Sequence, residues 1–172
     1  MEKLVSLLIR ALTAFGFNYS DFVSGTPGYA AACDAHSKKL DYNATLELIF
    51  DHLIVRRELT GCCVNWGLAL AHLLRCWGCK ICIMLTPEGQ GSKVTVAYNA
   101  SGKLLVADIV EYIKGAATID EIAAIPYEDF VAPFGNKVVL LDVEKVEGPF
   151  VELLCKSDIT SNTTPEEFLQ EN

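Results

Sequence analysis

No stretch of this sequence stays apolar long enough to span a bilayer, which takes about 20 residues as a helix. The greasiest opening run, Leu4 to Ile9, is cut by Arg10, and no small-residue cleavage site follows it. Met1 to Phe17 therefore reads as an amphipathic first helix and not as an export signal. Positive charge is also scarce. Fourteen Lys and Arg stand against 22 Asp and Glu, a formal net charge of −8 over 172 residues. Such a surface repels phosphate backbones and anionic lipid, so neither nucleic acid nor a membrane is expected as a partner. Repeats and low-complexity linkers are absent, and no cofactor is expected.

What is present describes a globular chain. Half of the residues are apolar and 21% are charged, too much core material for disorder. The length suits one domain over residues 1–172, with 157–172 expected as a flexible acidic tail. Cysteines stand at 33, 62, 63, 76, 79, 82 and 155. An odd number at irregular spacing, without an export signal, points to free thiols in a reducing compartment, so a soluble cytoplasmic protein is expected. The four Asn-x-Ser/Thr triplets then carry no weight.

The periodicities predict helices first and strands second, an α+β order. Glu2 to Phe15 forms the first helix, and a short one is expected around Tyr29 to Ala35. Asn43 is placed to cap another, whose apolar residues Leu46, Ile49, Phe50, Leu53 and Ile54 follow helical spacing. A third runs from Cys63 to Trp77 and stops at Gly78. It is apolar almost all round and so should be central. The period then changes to two. Lys80 to Leu85, Lys93 to Tyr98, Lys103 to Ile109, Lys137 to Asp142 and Phe150 to Cys155 read as strands. Helical turns are expected from Thr118 and from Thr164-Pro165. Pro87 to Ser92 reads as a flexible loop.

The informative segment is Thr60-Gly-Cys-Cys-Val-Asn-Trp-Gly-Leu-Ala-Leu-Ala-His-Leu-Leu-Arg-Cys-Trp-Gly78. A Gly-x-Cys opens a buried helix and puts Cys63 where free amides and the helix dipole favour a thiolate. A thiolate there is a nucleophile, and the same amides can hold an oxyanion. Gly67 follows four residues on, then Leu73-Leu74-Arg75 and Gly78. In these positions the sequence resembles the transglutaminase-like superfamily. The resemblance covers roughly Thr60 to Asp108 and the helix before it. It implies a papain-like core, with the nucleophile-bearing helix packed on an antiparallel sheet, and cysteine-based acyl transfer or hydrolysis of an amide or peptide. It also implies that Asp108 is the orienting carboxylate.

The family's histidine is missing, and Lys93 falls in its place. If Asn99 to Gly102 is a four-residue hairpin turn, Lys93 lies directly opposite Asp108 on one face of the sheet. A lysine beside a carboxylate keeps its proton and makes a poor shuttle near neutral pH. Two readings follow: an impaired acyl-transfer enzyme acting through Cys63, Asp108 and Lys93, and an inactive domain of the same kind that binds a protein, peptide or other ligand. No other histidine substitutes well. His72 is roughly 13 Å along the helix from Cys63, His52 is expected in solvent, and His36 lies in an irregular region. Cys76-x-x-Cys79 with Cys33 and His36 is a weaker zinc arrangement. Cys79 and Cys82 are three apart on one strand and point to opposite faces.

Overall fold

The computed structural model describes residues 1–170. Helix α1 (Glu2–Leu12) buries Val5, Leu8, Ile9 and Leu12 along one stripe. Helix α2 (Pro27–Ser37) starts with Thr26 accepting from the Tyr29 amide and Pro27 in its first turn, where a missing N–H costs nothing. Helix α3 (Tyr42–Phe50) continues into a π-helical turn over Asp51–Val55. Its cap is Asp41, which accepts from the Ala44 amide at 2.9 Å, and not Asn43. The Asn43 side chain is instead taken by Arg75, so the Leu-Leu-Arg motif ties the end of the central helix to the start of α3. That helix, α4 (Cys63–Cys76), is followed by Gly78 at φ 78°, a conformation that favours glycine.

Two short strands, β1 (Asn18–Tyr19) and β2 (Thr60–Gly61), pair in parallel just before α4. Then come β3 (Ile81–Glu88), β4 (Gly91–Ala100) and β5 (Lys103–Ala107). After them lie the helical turns α5 (Ile109–Ile113) and α6 (Ile119–Ile122), then β6 (Ile125–Pro126) and α7 (Tyr127–Val131). Strand β7 (Val139–Asp142), helix α8 (Phe150–Leu154) and helix α9 (Pro165–Gln170) complete the chain. The main sheet has the order β6-β5-β4-β3-β7, with every neighbouring pair antiparallel. The class is α+β, as its order of elements predicts.

Strand alternation sorts the core. Ile83, Leu85, Val94, Val96, Tyr98 and Leu105 face α4 and the other N-terminal helices. Cys82, Met84, Ala97, Val106 and Leu140 face the opposite side, where Phe168 of α9 covers them. Both faces are sealed, which is why β3 reads as a continuous apolar run.

Several sequence expectations are corrected. Phe150 to Cys155 is helix and not strand: Phe150 alone is fully buried, and the segment packs by α8's contacts with α2 and α3. Pro87 to Ser92 is no loop, because Pro87 pairs with Ser92 and Glu88 with Gly91 around a Gly89-Gln90 turn. The expected free tail is anchored through residue 170. Asn162 exchanges bonds with both backbone groups of Asp142 at 2.7 and 3.1 Å, Ser161 accepts from the Leu140 amide, and Phe168 is fully buried. Residues 171 and 172 of that tail lie outside the described residues. Among the described residues, no helix is long and apolar enough to cross a membrane.

Candidate active site

Cys63 begins α4, and Cys62 is its cap residue. Asn65 organises this turn. Its Oδ1 accepts from the Cys62 amide at 3.1 Å, its own amide reaches back to the Cys62 sulfur, and its Nδ2 donates to Gly28 O at 3.1 Å. Asn65 also explains the glycine of the Gly-x-Cys motif. A Cβ on Gly61 would sit 2.5 Å from Asn65 Cβ, closer than carbon atoms approach, and Gly28 is hemmed in by the same side chain. Gly67 faces β4, where an added Cβ would just touch Val94 O at 3.4 Å, so the position demands a small residue.

The amides at the helix start were expected to serve Cys63. The structure aims the Asn65 amide at Cys62 instead, and the Cys63 sulfur takes its backbone bond from the strand, from Val94 N at 3.4 Å. The Cys62 thiol lies against Cys63 and is the largest influence lowering its pKa. Burial opposes this, while the Val94 amide and the nearby positive charge of Lys93 add to it. The net result is a Cys63 thiol brought down to about 7. Cys62 moves the other way, well above an ordinary thiol, so the proton stays on Cys62 and the thiolate forms on Cys63. Cys63 retains only 9% of its surface exposure.

Lys93 and Asp108 meet, by a different register from the one expected. The β4–β5 turn has two residues, Ser101 and Gly102, both at positive φ, so Ala100 pairs with Lys103 and Val96 with Ala107. Every facing pair is shifted by two from the four-residue-turn register. An even shift keeps each side chain on its face, which leaves Asp108 diagonal to Lys93 instead of opposite. The long lysine spans the diagonal. Its Nζ donates to Asp108 Oδ2 at 2.9 Å, lies as close to Oδ1, and reaches Glu111 Oε1 of α5 at 3.3 Å. Asp108 itself lies just past β5, as the cap residue of α5.

Asp108 is buried and Lys93 is largely covered. Burial works against the Lys93 charge, but Asp108 and Glu111 outweigh it and hold the ammonium above its ordinary pKa. Burial raises Asp108 more than Lys93 lowers it, so its pKa is also above the usual value. Among the described residues, Thr86, directly across from Lys93, and Thr95, two residues along β4, bury hydroxyls without hydrogen-bond partners, and Asp108 Oδ1 makes no well-aligned hydrogen bond.

The sequence reading missed Asn65, Glu111, Glu88 and Tyr19. The signal for Asn65 was there: a cap residue followed three later by an amide is the spacing of a capping box. Tyr19 pairs with Gly61 in the β1–β2 ladder. Burial and the neighbouring Cys63 and Cys62 push its hydroxyl up to about 12, so it stays protonated. Lys114 lies 4.5 Å over its ring and 3.9 Å from Glu88, whose charge opposes ionisation of Cys63.

The histidines stand apart from the thiol. His72 packs on Phe50 with ring centroids 5.0 Å apart, and His36 is exposed. His52, expected in solvent, is buried, with Nδ1 3.1 Å from Glu58 and Nε2 3.6 Å from Asp34. It lies on the π-helical turn, where Asp34 of α2 and Glu58 cover it. The zinc arrangement does not assemble. Cys76 is exposed beside His72, Cys79 is buried against Met1, and no group of three His, Cys, Asp or Glu among the described residues converges on a common point.

A groove of about 430 Å³ lies between Val64 of α4, Val94 of β4 and the segment from Leu154 to Ile159, and Cys63 does not line it. No family model, curated protein or solved structure matches the chain.

Proposed function

We propose that the chain is a transglutaminase-like domain in which Cys63 takes an acyl group from an amide or peptide. Turnover is limited by the ammonium standing where the family carries histidine. One observation carries the reading: a thiol at the start of a buried helix, brought down to about 7 and hydrogen-bonded to Val94 N of the neighbouring strand. A thiolate can attack a carbonyl without a base. The difficulty comes at the next step, because an amine leaves only with a proton. Lys93 holds its proton too tightly to give it up efficiently near neutral pH, and Asp108 and Glu111 hold Lys93 in place. Acylation of Cys63 by amides is therefore slow. A reducing, cytoplasmic setting belongs to the same proposal, since all seven cysteines are unpaired.

The test is Lys93→His, which puts an imidazole beside Asp108. Hydrolysis of glutamine- and peptide-amide substrates, read as released ammonia or amine, is expected to rise at least tenfold over the parent and to vanish on adding Cys63→Ala. No rise in a folded Lys93→His protein would refute the assignment of position 93. A second reading, a binding domain without catalysis, is favoured by the 9% exposure of Cys63 and the doubly paired Lys93. It requires that Cys63→Ala leave peptide affinity unchanged and that the parent chain accumulate no acyl adduct.

A further inference from the structure

We infer that Cys62 and Cys63 form a peroxide-responsive pair, in which Cys63 is oxidised and Cys62 closes on it as a disulfide that switches the nucleophile off reversibly. This rests on Cys63 forming a thiolate, as the proposed function does, but not on acyl transfer. The two sulfurs belong to adjacent residues at the start of α4, and the side chain of Cys62 is hydrogen-bonded to that of Cys63. They hold opposite protonation states, with the proton kept on Cys62 and the thiolate formed on Cys63. Peroxide chemistry needs that division, a thiolate to attack and a thiol beside it to resolve. The pair is also enclosed, with Cys63 9% and Cys62 3% exposed. Hydrogen peroxide is little larger than water, whereas a thiol on a second protein needs far more room. Cys62 is therefore the thiol placed to meet the oxidised sulfur.

The steps balance. The Cys63 thiolate attacks one oxygen of hydrogen peroxide, an S–O bond forms, the O–O bond breaks, and hydroxide leaves. The Cys62 sulfur then attacks the sulfenic sulfur, the S–S bond forms, and the departing hydroxyl takes the Cys62 proton and leaves as water. Two thiol sulfurs lose two electrons, and the peroxide gains them. Adjacent Cα atoms are held about 3.8 Å apart, closer than the roughly 4.4–6.8 Å that disulfides prefer. The bridge is thus strained, and strained bridges are the readily reduced ones. Closing it also turns the Cys62 sulfur away from the Asn65 amide, so the cap of α4 loosens with it.

The experiment treats the parent chain with equimolar hydrogen peroxide, blocks free thiols with iodoacetamide and digests with trypsin. The peptide 58–75 carries Cys62 and Cys63 and no other cysteine. The bridge shows as that peptide lacking two hydrogens and any alkylation. Its alkylation is expected to fall about tenfold with peroxide and to return with glutathione. Dimedone, which captures sulfenic acids, compares the parent with Cys62→Ser, each oxidised until Cys63 alkylation is lost. Without its resolving thiol, the variant should hold about tenfold more Cys63 adduct. A parent Cys63 that reaches sulfenic or sulfinic acid while Cys62 remains alkylatable overturns the switch and leaves the nucleophile reading standing. So does a Cys63 bridged to any other cysteine, or a bridge that glutathione fails to reopen. A bridge that forms and reopens in a chain failing the Lys93→His amidase test upholds the switch and overturns acyl transfer. A Cys63 that reacts with neither peroxide nor iodoacetamide overturns both.

Discussion

The Cys62 thiol is the largest influence lowering Cys63, so Cys62→Ala reports most directly on the site. A thiol with its midpoint at about 7 is about half ionised at pH 7, whereas one at the ordinary value of 9.0 is about 1% ionised. The gain in thiolate is roughly fiftyfold. Intrinsic nucleophilicity falls with pKa, by about six- to tenfold over two units. Cys63 should therefore outpace an ordinary thiol of equal access by only about five- to eightfold at pH 7, and its rate should level off above about pH 8. The assay is iodoacetamide labelling between pH 5 and 10, with each cysteine peptide quantified separately. In Cys62→Ala burial remains while its main opponent is gone, so the midpoint should climb from about 7 to the ordinary value or beyond. Far-UV circular dichroism checks that α4 survives the loss of its cap. A variant midpoint that stays near 7, or a parent midpoint near 9, refutes the reasoning.

Lys93→Met leaves Asp108 buried without its partner and should cost about 3 kcal/mol in urea unfolding at pH 7, with Asp108→Asn in the same chain recovering most of it. The pair also sets a pH dependence. Lys93 has a folded pKa above 10.5, so its contribution is complete below that value and is lost as pH rises through the folded one. The gap between parent and Lys93→Met should thus close in strong alkali. Asp108 is raised as well, so its favourable contribution belongs to acid and fades as pH rises through its folded pKa. Asn65→Ala removes the capping box and the bond to Gly28 O, and should lower stability by about 2 kcal/mol in the same unfolding assay.

Much of the fold was legible because its signals are local. The turns at Thr118 and Thr164, the end of α4 at Gly78 and the three central strands follow from caps and periodicity. What failed was longer in range. Asn43 looked like a cap, but a side chain 32 residues away claims it and Asp41 takes over. Phe150 to Cys155 alternates too briefly for its apolar pattern to tell strand from helix. His52 seemed exposed because it lies off its own helix's apolar stripe, but Asp34 of α2 and Glu58 cover that face. The Lys93–Asp108 pairing withstood a wrong turn length because the error was even. Glu111 escaped notice because its role depends on how α5 folds back after the strand, which neither spacing nor composition encodes.

The bond from Val94 to the Cys63 sulfur joins two elements that the chain does not otherwise tie at that point. Most helix-start thiols draw their stabilisation from the helix they begin, and it travels with them. Here part of it is on loan from a neighbouring strand, so the thiol's acidity gauges the gap between them. Anything that wedges helix and strand apart, whether an oversized occupant or a bulkier residue at Gly67, dims the sulfur's reactivity without touching it.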